Sequence, residues 1–270
     1  MHELHHYGRS HLIGAAASLV RFSAKKYVYQ RKLHPLRPPT DLAEWHERLD
    51  RDGAVLIPNF IDRSRLRELT DSVPKPSDFT VSPEGDKALM YLDAHRIPSL
   101  RLFFEDPRLR ALAQAHISNR AIPLRQTIGL KVARGYIPTF EVNYHIDSWK
   151  HRLKAFLYLH DVTESEAPTV YLRGSHKGWW RMWTEARIDR FYTVSPNGYG
   201  ADAERFFLGS YWPHEVAQLR NDYGFSDLVC TGAAGSLLLF DGRGLHRATP
   251  LTGDRRLILN SYWIHEGQHN

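Results

Sequence analysis

The pattern of apolar and polar positions divides the chain into an N-terminal helical part and a longer part made of short strands. Trp45 and Leu49 are apolar residues at helical spacing. Leu66 and Leu69 repeat this spacing after Asp62, a residue type that begins helices well because its carboxylate accepts from a free backbone N–H. The pattern therefore predicts two helices in the first quarter of the chain.

From about residue 124 the pattern changes to short apolar runs separated by turn residues. Including one earlier run, we predict strands at residues 54–58, 126–132, 140–145, 153–159, 169–172, 236–240 and 257–262. No Gly-rich phosphate loop follows any of them. Short strands with glycine or proline between them favour a sandwich or barrel over a parallel α/β sheet.

Two segments do not fit the strand pattern. Residues 1–40 end in a proline cluster and are predicted to be an N-terminal appendage, followed by a single domain over residues 41–270. Residues 177–227 are a polar, aromatic and partly helical insertion. Such an insertion is often a lid or a substrate-binding loop, but a subdomain packed on one face of the sheet fits the pattern equally well.

Composition and charge narrow the choice of partners. The 270 residues carry a formal net charge of +6, which favours anionic partners. The basic residues are dispersed and form no long run interleaved with aromatics, so we expect a small-molecule substrate and no nucleic acid. No stretch approaches the roughly 18 to 20 apolar residues that span a bilayer, and no transmembrane segment is expected.

The cysteine and histidine counts limit the metal chemistry. Cys230 is the single cysteine, so neither an internal disulfide nor a thiolate cluster can form, and we expect a reducing, cytoplasmic location. The 16 histidines leave imidazole and carboxylate groups as the plausible metal ligands.

Three residues form a candidate metal site. His145 and Asp147 are two positions apart where the predicted strand 140–145 ends, and alternate side chains of a strand point to the same face. His246 follows the predicted strand 236–240 and a turn. Two imidazoles and one carboxylate on one face of an iron ion leave three adjacent positions open, enough for a chelating 2-oxo acid and dioxygen. A His-x-Asp pair alone is a weak signal, because an ordinary polar group is the more common explanation for a single histidine or aspartate.

Two arginines after His246 strengthen the prediction. Either Arg255 or Arg256 could bind the distal carboxylate of 2-oxoglutarate through a bidentate pair. Alternation places Arg255 on the face of Leu257 and Leu259. An anchor deep in a barrel should have apolar neighbours, and this favours Arg255 over Arg256.

Two stretches of the chain resemble one known family. Residues 145–177, HIDSWKHRLKAFLYLHDVTESEAPTVYLRGSHK, and residues 235–263, GSLLLFDGRGLHRATPLTGDRRLILNSYW, are similar to the phytanoyl-CoA dioxygenase family. The resemblance implies a double-stranded β-helix with helices packed outside. It also implies Fe(II), 2-oxoglutarate and O2 as cofactor and cosubstrates, with hydroxylation of an unactivated carbon and release of succinate and CO2.

The resemblance also assigns roles to residues. It implies His145, Asp147 and His246 as iron ligands, Arg255 as the 2-oxoglutarate anchor, and, on an early strand, Lys131 or Gln126 as further cosubstrate contacts. Asp147 is a carboxylate where halogenating relatives have a small residue, so halogenation is disfavoured. The chain departs from the family at Ala167-Pro168, where relatives often have Gly-Pro.

Several hypotheses remain open at this stage. Trp149, Trp179 and Trp183 are candidate walls of the substrate pocket, although core packing is an alternative for each. Competing functions are a catalytically inactive binding protein on the same fold, another oxidative outcome such as desaturation or cyclisation, and a metal-dependent isomerase or hydrolase. The last of these would need no arginine after His246.

Overall fold

The helices lie mainly in the N-terminal half of the chain. The computed structural model describes residues 9–81, 88–132, 143–182, 185–186 and 210–268, with the side chains of these residues except 9–18, 81 and 88. Its helices are α1 (Arg9–Gln30), α2 (Ala43–Asp52), α3 (Arg63–Asp71), α4 (Pro98–Phe104), α5 (Pro107–His116) and α6 (Pro213–Tyr223). Short 3₁₀ turns cover Thr40–Leu42, Pro76–Asp78 and Ala94–Arg96.

The strands form two antiparallel sheets. They are β1 (Ala54–Ile57), β2 (Thr80–Val81), β3 (Ala88–Tyr91), β4 (Ala121–Lys131), β5 (Tyr144–His145), β6 (Arg152–Tyr158), β7 (Thr169–Leu172), β8 (Ser210–Tyr211), β9 (Asp227–Val229), β10 (Leu237–Asp241), β11 (His246–Ala248) and β12 (Arg256–His265). The larger sheet has the order β1-β10-β6-β12-β4-β3-β2, and the smaller has the order β8-β5-β11-β7-β9.

Both faces of the larger sheet are buried. On its outer face, α2 to α5 cover alternate residues of the central strands, including Leu157, Leu239 and Leu259, all of which are fully buried. On its inner face, Phe240 and Ile258 pack with residues of the smaller sheet. The alternate residues of these strands that the helices do not cover therefore line the space between the two sheets.

The smaller sheet is covered on its outer side by α6 and neighbouring aromatic residues. Val216 of α6 is buried with Val170 and Leu172 of β7, and Trp180 packs against the same cluster. Within the predicted insertion 177–227, Trp180 and α6 thus pack on the outside of this sheet, whereas Ser210–Tyr211 forms its edge strand β8. Residues 183–184 and 187–209 of that insertion lie outside the described residues.

Helix α1, from the predicted appendage 1–40, contacts the strand-rich part of the chain. Phe22 is 2% exposed and packs edge-on against Trp149, with ring centres 5.3 Å apart. The Tyr29 hydroxyl accepts a hydrogen bond from the backbone N–H of His151 at 3.0 Å and donates one to Gln268 at 3.1 Å.

The predicted fold class is confirmed. The two antiparallel sheets form a double-stranded β-helix core with N-terminal helices outside it. The predicted strands correspond to β1, β4, β5, β6, β7, β10 and β12, although part of the prediction 140–145 lies outside the described residues. The strands that the pattern missed, β2, β3, β8, β9 and β11, have two to four residues, too few for a period-two pattern to stand out.

His176 gives the fold a pH dependence that can be tested. Its Nε2 donates to the carbonyl of Asp50 at 2.9 Å, and its side chain packs against Gly53, where a Cβ would lie 2.5 Å from the imidazole Nδ1. Burial lowers the pKa of His176 to about 4, against 6.5 for the free side chain. Between these pH values the unfolded chain binds the proton more readily, so stability falls as the pH decreases through this window.

We expect wild type to lose up to about 3 kcal/mol of unfolding free energy through His176 between pH 7 and pH 4. Urea unfolding at several pH values measures this loss. The variant His176→Gln should show a shallower pH dependence, whereas His214→Gln, at an exposed position of α6, should keep the wild-type slope. Equal slopes for His176→Gln and wild type would contradict the assignment.

Candidate metal centre

The two histidines of the predicted site lie opposite each other on neighbouring strands. His145 ends β5, His246 begins β11, and the two are direct partners in the antiparallel pair. Direct partners share a face of a sheet, and here it is the face toward the larger sheet. Their ring centres are 4.4 Å apart, and each residue is 4% exposed.

Each imidazole is oriented by a backbone carbonyl two residues earlier. Nδ1 of His145 donates to the carbonyl of Asn143, and Nδ1 of His246 donates to the carbonyl of Gly244, both at 2.9 Å. With the proton on Nδ1, Nε2 of each ring has a lone pair available to a metal. The backbone thus fixes the ring orientation that metal binding needs.

Asp147 completes the group from the turn after β5. Its Oδ1 is 3.6 Å from Nε2 of His246 and 4.0 Å from Nε2 of His145, and one ligand atom from each of the three residues lies within 4.8 Å of the others. Nε2 of His246 is buried and has no hydrogen-bond partner. A divalent cation fits this group, because it would satisfy the buried nitrogen and bind two imidazoles and a carboxylate together.

Electrostatics keep the ligands in the forms that bind metal. Burial would raise the pKa of Asp147, but Lys154 and the two imidazoles lower it to about 2, so the carboxylate is ionised. Burial lowers the pKa of His246 to about 3, so its imidazole is neutral at pH 7. Both are the metal-binding forms of these side chains.

The turn between β10 and β11 holds two of these ligands. The carbonyl of Gly242 accepts from the backbone N–H of Asp147 at 2.8 Å, in addition to the contact from Gly244 to His246 described above. This turn is anchored by Asp241, which is fully buried. Its carboxylate accepts from the backbone N–H of Arg243 and from Nε2 of His116, both at 2.9 Å.

Lys154 is a residue of the site that the sequence reasoning missed. It lies on β6, with its Nζ 2.9 Å from both carboxylate oxygens of Asp147. Beside it on the same face, Arg152 donates to the hydroxyl of Tyr262 at 2.7 Å. The signal was present in the sequence, since both basic residues occupy the alternate positions of an otherwise apolar strand.

The choice of Arg255 as cosubstrate anchor does not fit the structure. Arg255 precedes β12 and is exposed, on the face where Leu257 and Leu259 pack under the helices. Arg256 is 8% exposed, alternates with Ile258 on the inner face, and donates to the carbonyl of Ala167 at 2.5 Å. Apolar neighbours do not distinguish the two arginines, because both faces of β12 are apolar and buried.

The carbonyl that Arg256 contacts belongs to the residue that departs from the family pattern. Ala167 has a φ of 53°, in the left-handed region that favours glycine. This conformation explains why glycine suits the position in relatives, and it aims the carbonyl of Ala167 at Arg256.

Lys131 and Gln126 are the two further residues predicted to contact the cosubstrate, and of these Lys131 lies on the inner face of the larger sheet. Lys131 pairs directly with Arg256 across β4 and β12 and so shares its face. Gln126 pairs with Ser261, on the helix-covered face with Ile128, and is not brought to the site.

Two more inner-face residues were not anticipated. Thr127 and Asn260 are direct partners across β4 and β12, on the face of Lys131 and Arg256. Thr127 Oγ1 and Asn260 Oδ1 are buried without a hydrogen-bond partner. Buried polar atoms in this state mark places where a bound molecule could supply the missing hydrogen bonds.

Of the three tryptophans predicted to wall the pocket, the two that the structure describes lie elsewhere. Trp149 is 5% exposed in a cluster with Phe22 and Ala186, so it packs against α1. Trp179 is 84% exposed at the surface. Trp183 lies outside the described residues.

Gly242 gives a test of the ligand geometry. A Cβ at this position would lie 2.6 Å from Oδ2 of Asp147, so we expect Gly242→Ala to displace the carboxylate and weaken Fe(II) or Co(II) binding by about tenfold or more. Calorimetric titration of the metal-free protein measures the affinity, and circular dichroism controls for folding. Wild-type affinity in a folded variant would show that Asp147 does not hold the metal in this position.

Comparison with known proteins was made by family model, by sequence and by structure. The family model for phytanoyl-CoA dioxygenase (PhyH) matches residues 49–258. No curated protein sequence matches the chain significantly. The described residues contain no helix long and apolar enough to cross a membrane.

Several solved structures share the fold at low sequence identity. The epimerase SnoN, solved with Fe3+, alpha ketoglutarate and nogalamycin RO, is 19% identical over 84% of each chain, with a TM-score of 0.55. HygX from Streptomyces hygroscopicus, with nickel, 2-oxoglutarate and hygromycin B bound, is 16% identical over 81% of this chain and 85% of its own, with a TM-score of 0.55. EctD from S. alaskensis is 14% identical over 86% of this chain and 80% of its own, with a TM-score of 0.58.

The family model covers most of the chain and includes the three candidate ligands. The chain therefore belongs to the phytanoyl-CoA dioxygenase (PhyH) family of Fe(II)- and 2-oxoglutarate-dependent oxygenases.

Proposed function

We propose that this chain hydroxylates an unactivated carbon of a small-molecule substrate, with conversion of 2-oxoglutarate and O2 to succinate and CO2. The observation that carries the proposal is the group of His145, Asp147 and His246 at the centre of the fold, with the buried guanidinium of Arg256 on the facing sheet. Iron and 2-oxoglutarate, when bound, supply the oxidising chemistry. The protein supplies ligands, orientation and a site shielded from water.

In this proposal the two ends of 2-oxoglutarate are recognised by different parts of the core. Its 2-oxo acid end would be bound through the iron that His145, Asp147 and His246 would hold. Its distal carboxylate pairs with Arg256, whose charge is buried and therefore favours an anionic partner. Lys131, the direct strand partner of Arg256, adds a second positive charge at that end.

Thr127 and Asn260 are well placed for the polar part of a bound molecule. Their orphaned oxygens lie on the same strands as Lys131 and Arg256, but nearer the middle of β12. We assign them to hydrogen bonds with 2-oxoglutarate or with the part of the substrate beside it. The unmet hydrogen bonds make these positions costly unless a ligand occupies the site.

Other oxidative outcomes at the same iron site form the second candidate function. They are supported by the structural neighbours, because SnoN is described as an epimerase and SnoK as a carbocyclase. Ligand geometry is compatible with all of these outcomes, since they differ in what the substrate does after oxidation begins. The intact triad argues against an inactive binding protein, and buried Arg256 argues against an isomerase or hydrolase that needs no 2-oxo acid.

The substrate class and location also belong to the proposal. A net charge of +6 supports an anionic or carrier-bound substrate. Arg152 adds a positive charge to the inner wall beside Tyr262. We further propose a cytoplasmic location, because Cys230 is the single cysteine and offers no internal disulfide.

The decisive experiment measures cosubstrate turnover without knowledge of the substrate. The purified protein with Fe(II), 2-oxoglutarate and O2 should form succinate slowly, and a correct candidate substrate should stimulate this rate. His246→Ala should abolish it, since the loss of one of three ligands removes the metal site. Absence of 2-oxoglutarate binding and of succinate from iron-loaded wild type would refute the proposed function.

The two adjacent arginines provide a matched pair of variants. We expect Arg256→Leu to weaken 2-oxoglutarate binding by about a hundredfold, the equivalent of the roughly 3 kcal/mol typical of a lost buried charge pair. Arg255→Leu should bind like wild type, because Arg255 is exposed on the other face. Anaerobic titration of the iron-loaded proteins with 2-oxoglutarate measures both affinities. The opposite ranking would return the anchor role to Arg255.

A further inference from the structure

The side chain of Lys154 contacts Asp147, a candidate metal ligand, although strand formation does not require a lysine at this position of β6. Its Nζ is 2.9 Å from Oδ1 and 2.9 Å from Oδ2 of Asp147, and its side chain is 21% exposed. The ammonium lies 5.6 Å from the ring centres of both Phe240 and Tyr262. The two aromatic rings restrict the lysine to a position beside the carboxylate.

The two oxygens of Asp147 have different surroundings. Oδ1 faces the imidazoles, at 3.6 Å and 4.0 Å from their Nε2 atoms. Oδ2 faces Gly242, where a Cβ would be 2.6 Å away, and is buried without a hydrogen-bond partner. The ammonium of Lys154 is 2.9 Å from both oxygens but donates its hydrogen bond to Oδ1. A metal held by both imidazoles therefore approaches Oδ1. The ammonium of Lys154 can then donate to Oδ2, which is already 2.9 Å away and has no other hydrogen-bond partner, and so keep its ion pair.

The number of oxygens that Asp147 contributes decides how many positions remain open. A six-coordinate ion with two imidazoles and one carboxylate oxygen has three positions left, which 2-oxoglutarate and O2 require. A carboxylate that binds through both oxygens takes one of those positions. An ammonium on the second oxygen opposes that binding mode, since the metal would then compete with a cation for the same lone pairs.

We propose that Lys154 is a positioning residue that keeps Asp147 a one-oxygen metal ligand and so preserves the coordination position that 2-oxoglutarate needs. This inference rests on the proposed function, because it requires a metal at the triad. The lysine acts through Asp147 and need not touch the substrate.

A purely structural role for Lys154 makes a different prediction. If the lysine only neutralised a buried carboxylate, its loss would lower stability and disturb the metal and 2-oxoglutarate sites together. If Lys154 positions Asp147, its loss should change the affinity for Fe(II) and the affinity for 2-oxoglutarate differently. Removal of a positive charge near the metal should leave Fe(II) affinity unchanged or higher, whereas 2-oxoglutarate affinity should fall.

The test compares Lys154→Met, which lacks a hydrogen-bond donor, with Lys154→Gln, which keeps a neutral donor of similar reach. Lys75→Met serves as the matched control, at an exposed position in the turn before Pro76. Calorimetry of the full-length, metal-free proteins gives the Fe(II) affinity. Anaerobic titration of the iron-loaded proteins, followed by the charge-transfer absorption of the 2-oxoglutarate chelate, gives the cosubstrate affinity. Thermal unfolding shows that each variant is folded.

In Lys154→Met we expect 2-oxoglutarate affinity to fall by about tenfold or more, without loss of Fe(II) affinity. In Lys154→Gln, 2-oxoglutarate affinity should recover to within about threefold of wild type, because the donor on Oδ2 is restored. A crystal structure of the Co(II) form of Lys154→Met should show Asp147 bound through both oxygens. Lys75→Met should match wild type in both affinities.

Three results would overturn the inference. One is wild-type 2-oxoglutarate affinity in Lys154→Met, and another is an equal loss in the Met and Gln variants, which would assign the effect to charge alone. A parallel fall of both affinities would support the structural role instead. Wild type that binds no Fe(II) would refute the proposed function first, so failure of the two proposals can be told apart.

Discussion

The direct pairing of β5 with β11 is the constraint on which the rest of the site depends. It places His145 and His246 side by side on the inner face of the smaller sheet. The carbonyls of Asn143 and Gly244 then fix the orientation of both rings. Metal binding costs less conformational entropy when the ligand side chains are already oriented. Here the backbone hydrogen bonds orient both imidazole rings before any metal binds.

The turn between β10 and β11 connects these ligands to the buried core. Asp241 is a fully buried carboxylate at the end of a central strand. Burial raises its pKa, but Arg243 and His116 hold the pKa well below its usual range, so the group stays ionised and bonded. The backbone of the same turn contacts Asp147 and His246. A buried charge network thus positions the ligands without occupying the site.

The two faces of the larger sheet are both buried but have different roles. The outer face of the larger sheet holds leucines such as Leu157 and Leu259 against the helices. The inner face holds Lys154, Arg256 and their neighbours, and it faces the imidazoles. Charges on this face are shielded from bulk water, which strengthens their interactions with carboxylates. The helical layer therefore makes the core stable, while the inner face is left to bind ligands.

The sequence by itself indicated the fold class, seven of the strands, the three candidate ligands and the family. It did so because apolar runs, the His-x-Asp pair and the family motifs are read from neighbouring residues, although the structure places Asp147 in the turn after β5 and not on the strand. Apolar neighbours favoured Arg255 over Arg256, but both faces of β12 are apolar, and only the packing of helices on one of them reveals the inner face. The family resemblance likewise left Lys131 and Gln126 as alternatives, and strand pairing places Lys131 on the inner face and Gln126 on the helix-covered face. Tertiary structure decided which face of each strand meets the metal, because that depends on what covers the sheet and not on the strand itself.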